Sequence, residues 1–242
     1  MITDFFLSSE SILPTLEAID KQLLLTVNGS ESLYLDRVVK SLTNAWTWLP
    51  LHVSLFYIIL KNNDSFRKVL LVLLGAGLCV LLAGAVDDMI VKPTVARWRP
   101  THDPEIGMMV DVVDGYRGGR YGFFSAHAAN TFSIAVFFCW LIRSRLLSLA
   151  LVLWSLTNCW TRMYLGVHFP GDILVGLAWG AIVGTFAYFV YSRLTRTRKI
   201  MSGCQFVSGQ YTSTGYHRTD GTIPVTVLLI TLIVVLIKAC AL

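Results

Sequence analysis

The chain has 242 residues, of which 55% are hydrophobic and 14% charged, and its mean hydropathy is +0.62. Soluble domains carry about a quarter charged residues, so this composition excludes an ordinary soluble enzyme and indicates an all-α integral membrane protein. The net charge of +5 lies in short basic segments between apolar runs, which is the pattern of membrane topology and not of a nucleic-acid binder.

Residues 1–41 carry Ile12, Leu16, Ile19 and Leu23 at helical spacing. They read as an amphipathic helix on the membrane surface, or as a short soluble cap, followed by a turn at Asn28, Gly29 and Ser30. The start of the chain lacks the basic region of a cleaved signal peptide, so insertion is expected to rely on internal spans. About six of these are expected, in one bundle. The first, 42–60, is weak, with Trp46 and Trp48 as interface anchors. The second, 69–86, has no charge and is just long enough to cross a hydrocarbon core. A long interruption, 87–124, precedes the third span at 126–142. The fourth runs from 146 to the Thr161–Arg162 pair. The fifth, 173–191, has Gly176, Gly180 and Gly184 at every fourth position, which lets a neighbouring helix approach closely. A polar, mobile loop at 193–222 leads to a sixth span at 223–242. The whole is expected to be a single membrane domain, with residues 42–192 as its catalytic core.

The free Lys and Arg of 61–68, 143–145 and 193–196 mark one end as cytoplasmic. Alternation then puts three polar clusters together on the other side: 92–100, 125–127 and 161–172. Lys92 and Arg99 are seven residues apart, about two helical turns, so one helix face can carry both. Arg162 adds a third cation, and three cations around one point suit a phosphate or diphosphate. Arg97 reads as a snorkelling side chain. Ser125, Ala126 and His127 open the third span, where unpaired backbone N–H groups favour an anion. His127 and His168 provide an acid and a nucleophile for phosphoryl transfer. Asp172, four residues after His168, can hold one ring nitrogen and leave the other free, or simply cap the fifth span.

The remaining titratable groups have lesser parts. Asp88 pairs with Lys92, Asp87 helps position the end of the second span, and His52 is a packed or interface residue. His102, His217, Asp103, Glu105, Asp111 and Asp114 match no familiar metal-ligand spacing, so neither a metal nor another cofactor is expected. The cysteines Cys79, Cys139, Cys159, Cys204 and Cys240 have no regular spacing, which argues against disulfides or a zinc site.

Together the clusters resemble the motifs of the type 2 phosphatidic acid phosphatase family of membrane lipid phosphatases. The motif K-x(6)-R-P is matched by Lys92, Arg99 and Pro100. P-S-G-H appears as Phe124, Ser125, Ala126 and His127, and S-R-x(5)-H-x(3)-D as Thr161, Arg162, His168 and Asp172. The resemblance covers roughly residues 42–192. It implies that His168 forms a phosphohistidine without a metal, that Asp172 orients it and that His127 protonates the leaving group. Lys92, Arg99, Ser125, Arg162 and the backbone around Ala126 would hold the phosphate. Ala126 in place of Gly implies a small change in loop geometry with activity retained. The stretch 115–122 reads as a flexible basic rim, similar in composition to that of bacterial members acting on envelope lipids. Undecaprenyl diphosphate, a lipid A phosphate, phosphatidylglycerophosphate and phosphatidic acid are the implied substrates, met at the periplasmic face of the bacterial inner membrane. Phosphate transfer between lipids at the same site, vanadate-dependent oxidation as in the soluble haloperoxidase relatives, and transport are the competing readings. A transporter would carry its charges near mid-span, whereas here they gather at one end.

Overall fold

A computed structural model describes residues 2–196 and 209–241, and the side chains within 14–195 and 209–240. The described residues are helical with no strand. Helix α1 (Ile2–Val27) ends at the expected turn, where Gly29 adopts φ +66°. The Asn28 side-chain N–H donates to the carbonyls of Asp111 (3.1 Å) and Tyr164 (2.9 Å), which ties this corner to the end of another helix. Helix α2 (Leu33–Thr43) is capped by Ser32, whose hydroxyl accepts from the Leu35 N–H. In α1, Leu24 is buried against Ile106, Val110 and Phe169, while Leu16, Ile19 and Leu23 point outward. A soluble helix would bury that apolar stripe; here the polar Asp20 and Lys21 face the protein.

The main helices run between two ends of a bundle. They are α3 (Leu49–Lys61), α4 (Phe66–Val80), α6 (Ala126–Ile142), α7 (Arg145–Tyr164), α8 (Pro170–Arg196) and α9 (Thr222–Ala241). Helix α4 does not stop at 86 as the sequence suggests. It continues through two π-helical turns, Leu81–Ala85 and Asp87–Val91, into the short α5 (Lys92–Val95). The continuous rod Phe66–Val95 spans 30 residues, so the charged residues Asp87, Asp88 and Lys92 sit on its last turns and not in a loop. Among the described residues, three helices are long and apolar enough to cross a membrane: Phe66–Val95, Pro170–Thr195 and Arg218–Cys240. Helix α3, at 13 residues, is about 20 Å long, short of the ~30 Å hydrocarbon core.

Close helix contact positions the site. Helices α6 and α8 meet along the glycine stripe. A Cβ on Gly176 would lie 2.8 Å from the Ser125 carbonyl oxygen, one on Gly180 2.7 Å from that of Ala129, and one on Gly184 2.4 Å from that of Ser133. Only glycine permits that approach. The bundle core joins Leu51, Leu55 and Ile58 of α3 with Val72 of α4, Phe137 of α6 and Leu151 of α7. Leu74, Leu174, Ile182, Phe186 and Ile233 lie on the outside, as expected where the surrounding solvent is itself apolar.

The basic turns do gather at one end. There Asp220 is buried beneath Lys61 (2.8 Å) and Asn62 (2.9 Å), and Arg143 reaches Ser213 (3.3 Å). This corrects part of the expected mobile loop. Residues 209–221 form a packed cap with a buried Tyr216, closed by the pairing of Tyr211 with His217. The intervening 197–208, with Cys204, lies outside the described residues. All three polar clusters meet at the opposite end.

Candidate active site

Lys92 opens the last turn of the rod, and its ammonium lies 2.8 Å from Asp87 Oδ2 and 2.5 Å from Asp88 Oδ1. Asp87 is wholly buried, so the pair replaces hydration that the carboxylate has lost. A lysine has three N–H donors, which leaves one for another acceptor. The helix stops at Ala96, whose φ is +50°. Lys92 and Arg99 therefore do not share a helix face, contrary to the sequence reading; Arg99 reaches the site from an extended segment. That segment pairs with the stretch expected to be a flexible rim: the Arg99 N–H donates to the Arg120 carbonyl (3.1 Å) and the Gly122 N–H to that of Arg97 (2.9 Å). Arg120 stacks 4.4 Å over Trp98, and the Thr101 hydroxyl donates to the Arg117 carbonyl (3.0 Å). The rim is pinned. Gly118 and Gly122 let it lie against Arg99, because a Cβ at either would come within 3.0 Å of that side chain.

Arg99 is buried and donates to the carbonyls of Tyr121 (3.1 Å) and Val167 (3.3 Å), with Nη1 3.4 Å from His168 Nε2. His168 lies in the short link between α7 and α8, almost fully buried. Burial, together with the positive charges of Arg99, Arg162 and Lys92, drives its imidazole well below the ordinary histidine range. It is therefore neutral, with the Nε2 lone pair turned toward Arg99 Nη1. Its Nδ1 faces Asp172 Oδ2 at 3.7 Å, beyond hydrogen-bond length, and makes no hydrogen bond among the described residues. Asp172 is held independently: Oδ2 accepts from the Phe169 N–H (2.9 Å) and Oδ1 from Arg97 Nη1 (2.6 Å). Arg97 is thus no snorkelling residue. Its second nitrogen binds Asp20 Oδ2 at 2.6 Å, and the guanidinium lies 4.4 Å over the Phe169 ring.

Arg162, at the end of α7, is buried and donates to Thr43 (2.7 Å) and to the Tyr116 hydroxyl (3.1 Å). Its Nε is buried with no hydrogen-bond partner among the described residues. An orphaned charged donor is costly, and the charge of Arg162 acts on both His127 and His168. Burial pushes the Tyr116 phenol up, but the charges of Arg162 and Arg99 outweigh this and leave it below its ordinary value. Ser125 does cap α6, its oxygen accepting from the Ala128 N–H at 3.5 Å while its own N–H donates to the Asp172 carbonyl at 3.1 Å. The hydroxyl proton stays available. The first helical bond of α6 comes from Ala129, so the N–H groups of Ala126 and His127 are outside the helix ladder. The His127 ring lies half-buried within reach of the charges on Arg162, Lys92 and Arg99.

The structure thus brings Lys92, Arg99, Ser125, Ala126, His127, Arg162, His168 and Asp172 to one end of the bundle. Sequence reasoning missed Thr43, Tyr116, Asp20 and the part played by Arg97, all of which join the cluster through contacts between distant segments. Three of the four acidic residues weighed as metal ligands have protein partners: Asp103 caps the N–H groups of Glu105 and Ile106, Glu105 pairs with Lys21, and Asp114 pairs with Lys40. His52 is a packing residue, bonded to the Trp48 carbonyl and edge-on to Trp154.

Two histidines and three basic side chains thus lie at one end of an apolar helical bundle, an arrangement that suits a phosphate. Residues 68–196 match the model of the PAP2 superfamily. The chain is 40% identical over 182 residues to a lipid A 4'-phosphatase of Bacteroides thetaiotaomicron, covering 74% of this chain and 80% of that protein. It is 33% identical to a lipid A 4'-phosphatase of Porphyromonas gingivalis, over 77% of this chain and 78% of that one. A decaprenylphosphoryl-5-phosphoribose phosphatase of Mycobacterium tuberculosis is 38% identical over 52% of this chain and 63% of its own length. No solved structure matches. The chain belongs to the PAP2 superfamily and is a lipid phosphatase.

Proposed function

We propose that the protein removes a phosphate monoester from lipid A or a similarly built glycolipid, through a phosphohistidine on His168. The observation that carries this reading is the two-sided environment of that ring. Nδ1 looks back at the Asp172 carboxylate, and Nε2 looks into the cationic pocket of Arg99.

In the first step the neutral Nε2 attacks phosphorus and forms an N–P bond as the P–O ester bond breaks. His127 gives its proton to the departing lipid oxygen. The dianionic phosphate beside His127 favours the protonated ring at that stage. Arg99, the orphaned Nε of Arg162, the third N–H of Lys92, the Ser125 hydroxyl and the N–H groups near Ala126 neutralise the equatorial oxygens. Charge stabilisation of this kind is the main requirement of phosphoryl transfer. Water then attacks the phosphohistidine, returning a proton to His127, and the N–P bond breaks to release inorganic phosphate. Protein cations do the work for which a metal would otherwise serve, so phosphate release is expected to survive chelation.

The lipid A reading is supported by the names of the two relatives most fully covered. An isoprenoid phosphate is the second reading, supported by the mycobacterial relative. The outward stripe Leu16, Ile19 and Leu23 supports α1 lying in the bilayer surface, and the two-ended charge distribution supports a single bundle domain whose long helices cross the membrane. The site would then face the periplasm from the inner membrane, where a lipid head group enters sideways. Purified protein tested with lipid A 4'-phosphate, lipid A 1-phosphate, undecaprenyl diphosphate and phosphatidic acid decides the substrate. Fastest release from the lipid A 4'-position is expected, and its absence refutes this choice. Phosphate transferred to a second lipid, with none released, would replace hydrolysis by transfer.

A further inference from the structure

Arg97 is held between two carboxylates, Asp172 on α8 and Asp20 on α1, at 2.6 Å each. The other oxygen of Asp20 accepts from the Gly171 N–H at 2.7 Å. Gly171 immediately precedes Asp172, and a Cβ there would lie 2.8 Å from Asp20 Oδ2, so glycine allows the approach. One side chain from α1 therefore grips the guanidinium that holds Asp172 and the backbone beside it. Asp20 lies outside residues 68–196, the family segment.

The charge count gives the grip a consequence. Asp172 with Arg97 alone is a neutral pair. With Asp20 the group carries a net negative charge behind Nδ1 of His168. Attack by Nε2 on phosphorus turns the imidazole into a cationic phosphoimidazolium, which that negative charge stabilises where little water competes. We infer that Asp20 is a positioning residue for the His168 nucleophile, acting through Arg97 and Asp172, and that α1 is part of the catalytic apparatus. This rests on the assignment of His168 and Asp172 made above. A mere staple of α1 to the bundle would stabilise the fold but would show no dependence on Asp172.

The test is a double-mutant cycle of Asp20→Asn and Asp172→Asn on the full chain in detergent, reading kcat, KM and thermal unfolding. Asp20→Asn is expected to lower kcat on the order of tenfold with KM within about twofold. Asp20→Glu should recover part of the loss. In the Asp172→Asn background, Asp20→Asn should have no further effect. Unchanged kcat in folded Asp20→Asn, a loss confined to KM, or the same factor lost in both backgrounds overturns the inference. If Asp20→Asn does not fold, Asp20→Ser, which also removes the charge, is read by the same criteria. Full activity in Asp172→Asn or His168→Ala would instead refute the underlying site assignment, whatever Asp20 does.

Discussion

Replacing Gly176 and Gly184 by alanine, one at a time, separates the two duties of the α6–α8 seam. Both substitutions press a methyl group onto backbone: 2.8 Å from the Ser125 oxygen for Gly176 and 2.4 Å from the Ser133 oxygen for Gly184, where real contacts begin above 3.0 Å. The helices must part by a few tenths of an ångström, more at Gly184. Overpacking of this kind costs about 1–3 kcal/mol, so both variants should unfold at lower temperature, Gly184→Ala at the lower of the two. Their effects on rate should be reversed. The Ser125 oxygen accepts the first helical bond of α6, from Ala129 (3.0 Å), so Gly176→Ala moves His127 relative to His168. A displacement near 1 Å costs about a hundredfold, so a few tenths should lower kcat on the order of tenfold. Gly184→Ala lies two turns further from the site and should keep kcat within about twofold while folded. The assay is phosphate release below the unfolding temperature of each variant, paired with unfolding in the same detergent. Equal losses of kcat, or a slower Gly184→Ala than Gly176→Ala, would refute the geometry.

His168→Ala should abolish release, and rapid acid-free quenching of wild-type protein with a 32P-labelled substrate should trap an acid-labile phosphoprotein that the variant lacks. The same residue sets a pH dependence of stability. The folded His168 pKa lies far below its ordinary 6.5, so below about pH 6.5 the unfolded chain binds the extra proton and this contribution to stability falls with falling pH. His168→Asn should therefore lose less unfolding temperature than wild type between pH 7 and pH 5, and an identical loss would contradict a buried neutral ring. Tyr116→Phe removes the acceptor of Arg162 Nη2 (3.1 Å). A bond to a charged group contributes about 1.5–3 kcal/mol, so inhibition by vanadate, a phosphate mimic, should change several-fold; no change would place Tyr116 outside the phosphate pocket. Arg97→Ala leaves the buried Asp172 unpaired, with an expected loss of about 3–5 kcal/mol, read by unfolding; a loss under 1 kcal/mol would restore the snorkelling reading.

Some of this was written plainly in the chain. Apolar runs of membrane length, glycines at every fourth position and basic turns between them are local patterns, and they specify helices, a close seam and two unlike ends before any contact is known. The order and spacing of Lys92, Arg99, His127, Arg162, His168 and Asp172 were likewise enough for the class of chemistry, because phosphate needs cations, a nucleophile and an acid. Where the patterns failed, a non-local contact decided. The rod runs on past residue 86 because Asp87 and Lys92 neutralise each other on its last turns. The 115–122 rim is anchored at its far end because the backbone at 120 and 122 pairs with 97 and 99. Arg97 looked like a solvated helix end, since neither Asp20 nor Asp172 is near it in sequence; they lie 77 and 75 residues away. A charge in an apolar setting is costly without a partner, which the sequence announces. Which partner lies within 3 Å is a property of the folded chain alone.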